Sequence, residues 1–224
     1  MQISNQTIEV LKNFAMINPS IAFQTGNVLQ TVATNKTIMA KAELADSFPS
    51  AGAIYDLSRF LGVVSLFETP DYEFTQSQVT IKERSKAVNY TFADPSMIVT
   101  PPQDKTLSIE EPDVDINVSG DKISAVLKAA AILQLKEVAI SCDGSQVYIE
   151  GLDTNQSDSY KEIIQDWTPE STFKFIFKTE SFKMLPGDYN IKINKGGIAQ
   201  FSSKRGDVLV TYWVAAESSS NYNG

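Results

Sequence analysis

Histidine is absent from the 224 residues, and with it goes the side chain most used as a general base near neutral pH and as a transition-metal ligand. Serine–histidine and cysteine–histidine catalysis and histidine–carboxylate metal sites are thereby excluded. A single cysteine, Cys142, rules out an intrachain disulfide and fits a reducing compartment, where it reads as a small core filler. No apolar run approaches the roughly 20 residues that span a bilayer, the longest, Ala125 to Leu133, being broken by Lys128. The first ten residues have neither a basic start nor a continuous apolar stretch, so they do not read as a signal peptide and the chain is expected to stay where it is made. Basic excess is missing too. The net charge is -8, with 8 Lys and Arg against 12 Asp and Glu over residues 1–112 and 11 against 15 over 113–224. A uniformly basic wrapper of nucleic acid is ruled out, whereas a basic face on an acidic protein is still allowed.

What is there is the balance of a globular chain, with 42% hydrophobic and 21% charged residues. Ser4 caps a helix over Ser4 to Ile17, whose stripe is Ile8, Leu11, Phe14 and Ala15 and whose end is set by Asn18-Pro19. Strands follow at Ser20 to Gln24, Val28 to Ala33 and Thr37 to Leu44, then a short helix at Asp56 to Leu66, then strands at Tyr72 to Gln76, Gln78 to Glu83 and Lys86 to Phe92. Residues Ala93 to Asp115, with four prolines and many acids, read as an extended, solvated connector. The second half repeats the pattern. A helix at Ser119 to Gln134 precedes strands Glu137 to Ser141, Gln146 to Gly151, Tyr160 to Trp167 and Thr172 to Phe177. A short helix at Thr179 to Leu185 and strands Tyr189 to Asn194, Ile198 to Ser203 and Val208 to Ala215 complete it, before a tail expected to fray. Leu11-Lys12 aligns with Leu127-Lys128 at an offset of 116, and Ile54-Tyr55 with Ile176-Phe177 at 122. The order of long helix, three strands, strand, short helix and three strands occurs twice, which implies internal duplication. The expected fold is α+β: two similar domains, 1–92 and 117–224, each with two helices on antiparallel sheet, joined by a connector over 93–116.

At 100° per residue, Arg59 and Lys128 point about 150° and 160° away from their helices' apolar stripes, Lys183 about 130°, and Lys12 and Lys122 lie on the flanks at about 80° to 100°. Each expected helix thus shows a cation on an exposed or flanking face, in a protein of negative charge. A solvated helix face is the ordinary meaning of any one of these residues. Asp113-x-Asp115 reads as part of the solvated acidic run rather than a cation site, and Gly196-Gly197 as a turn rather than a phosphate loop.

Four strings, LKNFAMIN at Leu11 to Asn18, IYDLSRFLGVVSLF at Ile54 to Phe67, ADPSMIV at Ala93 to Val99 and MLPGDYNIKI at Met184 to Ile193, together resemble the sliding clamp of tailed bacteriophages, a relative of PCNA and the processivity factor of the phage DNA polymerase. The resemblance covers essentially the whole chain. It implies a homotrimeric ring of six domains around sequence-independent duplex DNA, a non-enzymatic role without cofactor or metal, partners in the DNA polymerase and the clamp-loader complex, and the cytoplasm of an infected bacterial host. On that footing Lys12, Arg59, Lys122, Lys128 and Lys183 are expected to face DNA, unevenly, since the first domain offers only two of them. Subunits are expected to join head to tail through strand edges at Lys86, Val88, Tyr90 and Phe92 and at Tyr160, Ile163 and Ile164. Partner peptides are expected in a crevice at Ile98, Val99, Trp213 and Val214. A β-rich virion structural protein is the competing reading, and a carboxylate-dependent nuclease a third that lacks an acidic cluster.

Overall fold

The structure, a computed structural model, describes residues 1–102, 107–169 and 171–224. Two compact units compose it: Met1–Thr106 with Lys204–Thr211, and Leu107–Ser203 with Tyr212–Gly224.

In the first unit α1 (Asn5–Ile17) starts at Ser4, whose hydroxyl accepts from the Thr7 N–H at 3.2 Å. Asp46 anchors this start by accepting from the Ser4 N–H and the Thr7 hydroxyl, both at 2.7 Å. Burial works against the Asp46 carboxylate, but the hydrogen bonds from Thr7 and Ser4 outweigh it and hold the pKa below its ordinary value. Val10, Leu11, Phe14 and Ile17 fill the buried face. The helix stops where Asn18 turns extended ahead of Pro19, and the Asn18 amide donates to the carbonyls of Val32 at 3.0 Å and Val99 at 3.2 Å.

Strands β1 (Ile21–Phe23), β2 (Gly26–Val32), β3 (Ile38–Phe48) and β4 (Gly52–Ile54) follow. Helix α2 (Leu57–Val64) comes next, then β5 (Asp71–Phe74), β6 (Gln78–Glu83) and β7 (Lys86–Thr91). All pairings are antiparallel: β1 with β4, β2 with β3, and β5-β6-β7 as a meander. Phe23, Phe48, Phe74 and Phe92 form an aromatic core with centroids 4.7 to 6.5 Å apart. Helix α2, capped by Asp56 accepting from the Arg59 N–H at 2.8 Å, packs on α1 and sets Phe60 against the Tyr90 ring at 5.2 Å.

The expected connector is more structured than its prolines suggest. A 3-10 turn at Pro95–Met97 opens it, Ile98 and Ile109 are buried, and Val114–Val118 forms β8, the outer partner of a sheet in the second unit. The alternation Val114, Ile116, Val118 places three apolar side chains on one buried face, and this burial outweighs the acidic context.

Beyond β8 the second unit continues with α3 (Gly120–Leu133), β9 (Glu137–Cys142), β10 (Gln146–Leu152), β11 (Tyr160–Asp166) and β12 (Thr172–Lys178). A 3-10 turn at Thr179–Ser181 leads to β13 (Tyr189–Ile193), β14 (Ile198–Arg205), β15 (Val208–Ala215) and β16 (Asn221–Asn223). One sheet runs β11-β10-β9-β12-β16, with α3 packed on β9, β10 and β11. A second has β8, β13, β14 and β15 in that order. The tail expected to fray instead pairs Asn221–Asn223 with Thr172–Lys174.

The fold is α+β with antiparallel sheets and both units repeat the same order of elements, with one correction. The helix expected over Thr179 to Leu185 is a single 3-10 turn. Pro186 biases Leu185 away from helix, and Leu185 is held from outside: its N–H donates to the Tyr212 hydroxyl at 3.2 Å and its carbonyl accepts from the Tyr189 hydroxyl at 2.5 Å.

Candidate nucleic-acid interface and partner surfaces

Lys12 on α1 and Arg59 on α2 are exposed on two helices packed against each other, so the first unit brings its two expected cations onto neighbouring elements. Sequence reasoning missed a third basic residue here. The β14–β15 turn lies with the first unit, where the Gln6 side-chain amide donates to the Arg205 carbonyl at 3.4 Å and the Arg205 guanidinium sits 4.0 Å from the Glu9 carboxylate. Arg205 thereby offsets the acid beside Lys12. With 199 residues between Gln6 and Arg205, no local pattern could have announced it.

In the second unit Lys128 is exposed at the centre of α3. Beside it a largely apolar cavity of about 310 Å³ lies between Ile123, Leu127 and Ala131 of α3 and Met184, Leu185 and Pro186 of the following loop. Lys183 is exposed, but on that loop rather than on a helix. Lys122 departs from its expected role: it is half-buried, and its ammonium donates to the carbonyls of Ile163 and, at 3.5 Å, Ile164 on β11. The α3 flank on which it lies faces the edge strand, which explains why it does not join Lys128.

Both strands expected at subunit contacts are sheet edges. Among the described residues β7 pairs only with β6 and β11 only with β10. Their side chains sort differently from the expectation. Tyr90 leans on Phe60 and donates to the Asp56 carbonyl at 3.1 Å, Phe92 belongs to the aromatic core, and Val88 is half-buried, leaving Lys86 exposed. On β11 Tyr160 and Ile164 are half-buried while Ile163 is 47% exposed. The register shifts opposite Val147 and Tyr148, which makes Ile164 the extra residue of a bulge.

The four crevice residues divide. Val99 is 48% exposed and Ile98 7% in the first unit, next to a half-polar cavity of about 220 Å³ lined by Phe23–Val28, Thr100 and Pro101. Trp213, 8% exposed in the second unit, donates from its indole to Gln200 at 3.2 Å. Val214 is a correction: it is fully buried at 0% exposure, because strand alternation turns it to the opposite face of β15 from Trp213.

Among the described residues no three His, Cys, Asp or Glu side chains cluster as a metal site, and no helix is long and apolar enough to cross a membrane. Burial pushes the Cys142 thiol up, the opposite of what a nucleophile needs.

Solved structures share this architecture over nearly the whole chain. PCNA of Thermococcus kodakaraensis superposes with a TM-score of 0.71 at 11% identity, covering 95% of this chain and 96% of that one. PCNA of A. fulgidus, solved with the C-terminal region of FEN-1 bound, gives 0.70 at 15% identity, covering 94% of each chain. The fold is therefore that of the clamps. In sequence, the DNA polymerase processivity factor family matches residues 4–100 and the C-terminal domain of the gp45 sliding clamp matches 115–218. The sliding clamp of Enterobacteria phage T4 is 30% identical with both chains covered in full, and that of Escherichia phage RB69 is 28% identical with the same coverage. The chain belongs to the sliding-clamp family of DNA polymerase processivity factors. Its function is that of a clamp in phage DNA replication, and nothing in the comparisons favours a virion structural role.

Proposed function

We propose that the chain closes into a homotrimer, head to tail, with β7 of one copy added to β11 of the next. One observation carries this. In sheet order β3, the third strand after the long helix, is followed by β15, the last of its repeat, whose residues Val208–Thr211 belong to the first unit. The repeat counterparts of β3 and β15 are β11 and β7, and those two are left as edges. A heterologous contact that reproduces the β3–β15 neighbourhood between copies pairs these two edges with each other once the ring shuts. The domain limits that go with it are 1–92 and 117–224, with β8 drawn from the connector onto the second domain.

Duplex DNA then passes the helices, and Lys12, Arg59, Lys128 and Lys183 meet its phosphates without reading bases. Weak contacts suffice because retention is topological; an acidic exterior costs little when only the lining is positive. The polymerase and the clamp loader dock short tails beside Ile98, Val99 and Trp213, in the cytoplasm of the infected host, and the protein itself performs no chemistry. The test is primer extension on a primed circle with the cognate polymerase, loader and ATP. Longer products on adding this protein are expected; unchanged product length with an active partner set contradicts the proposal.

A further inference from the structure

The contact between α1 and the β14–β15 turn supplies a template for a contact between copies. Gln6, in the first turn of α1, donates to the Arg205 carbonyl, and Glu9 faces the Arg205 guanidinium. That turn bends through Gly206 at φ 61°, two residues before β15 begins at Val208. The β6–β7 turn has the same build. Arg84 lies at φ 53°, two residues before β7 begins at Lys86. The offset of 122 thus places Glu83 where Arg205 stands, and the helix offset of 116 places Lys122 where Gln6 stands.

Both counterparts are held in position. The Lys122 ammonium rests on the Ile163 and Ile164 carbonyls at the bulged edge β11, where the ladder leaves backbone acceptors over, and an ammonium has three donors. The Glu83 carboxylate is fixed at its turn by the Thr69 N–H at 2.6 Å, the Thr69 hydroxyl at 2.9 Å and the Glu68 N–H at 3.3 Å. Two oxygens accept from three donors and retain capacity for one more. Where the pair within the chain is an amide and acid on the helix against an arginine at the turn, its counterpart offers a cation on the helix and an acid at the turn. We propose that Glu83 of one copy pairs with Lys122 of the next, a latch that draws β7 onto β11. This rests on the head-to-tail ring proposed above.

Sedimentation equilibrium of the full chain tests it, with thermal melts to follow the fold. Lys122→Glu and Glu83→Lys are each expected to raise the concentration for half-assembly by about tenfold, since a small loss at one contact recurs at each copy of it in the ring. The double variant, with both charges exchanged, is expected to return to within about threefold of the original. Lys122→Met and Glu83→Gln form a second cycle that spares the Thr69 turn from charge reversal. Coupling between the two positions supports the latch. Additive losses in both cycles, or assembly unchanged by either single variant, overturn it while leaving the ring intact. An unsubstituted chain that stays monomeric at every concentration overturns the ring itself and the latch with it.

Discussion

In the first unit the second helix is eight residues long and rests on α1; at the same place in the second unit stands a three-residue 3-10 turn. The first unit closes over its helix with Phe60 and Tyr90, whereas the second ties Leu185 down with the hydroxyls of Tyr189 and Tyr212 and keeps a cavity along α3. The difference teaches that the repeated order of elements, not the second helix, defines the domain. It also leaves exposed cations on different scaffolds: Arg59 rides a helix and Lys183 a loop. The sheets diverge in parallel. The first unit's β1 and β4 pair over three residues, while their counterparts β9 and β12 pair over six and continue outward to β10 and β16.

The comparison breaks first at the proposed DNA face. Replacing Lys12, Arg59, Lys128 and Lys183 together by Glu is expected to weaken equilibrium binding to short linear duplex DNA, from which a ring can slide, by about a hundredfold or more at moderate salt, since each phosphate contact adds close to one to the salt slope. The melting temperature should stay put, as these positions are exposed. Comparing Arg59→Glu with Lys183→Glu sharpens the point, because equal losses mean that helix and loop present charge equally well; dissociation measured against salt decides it.

Two glycines at helices give opposite signs. A Cβ on Gly120, at the start of α3, would lie 2.7 Å from the Gly187 carbonyl carbon, so Gly120→Ala is expected to destabilise by about 2 kcal/mol in chemical denaturation. Gly62 in α2 has open space around its Cβ position, and Gly62→Ala is expected to stabilise by about 0.5 to 1 kcal/mol. A destabilised Gly62→Ala variant would mean that α2 is more tightly confined than the packing indicates.

The smallest effect is a pH dependence confined to the first unit. The Asp46 carboxylate has a folded pKa below its ordinary 3.8, so its support of the α1 start is complete above that value and is lost as pH falls through the lowered one. Amide exchange at Ile8 should quicken over that acid range, and an Asp46→Asn variant should flatten the response.

Local chemistry made much of this legible beforehand. The cap at Ser4, the stop at Asn18-Pro19 and the alternating strands depend on neighbours in the chain, and the duplication could be read from their order. What escaped depends on distant partners. Strand β4 exists because β1 pairs with it, β16 because β12 does, and the loss of the helix after β12 is decided by Tyr189 and Tyr212. Strand β8 is the exception: its alternation is plain in Val114, Ile116 and Val118, and the surrounding acids and prolines masked it. At the site the exposure of Lys12, Arg59 and Lys128 follows from helical periodicity, whereas the engagement of Lys122 by β11, the pairing of Arg205 with Glu9 and the two cavities arise only on folding.

The central claim is that two unequal units make one topological device, and the direct measurement is survival on circular against linear DNA. Protein loaded onto a nicked circular duplex and separated from free protein by gel filtration should remain bound at salt concentrations that abolish phosphate contacts, and should leave when one restriction cut linearises the circle. Equal retention on circle and cut DNA, or loss from both as salt rises, would contradict the account.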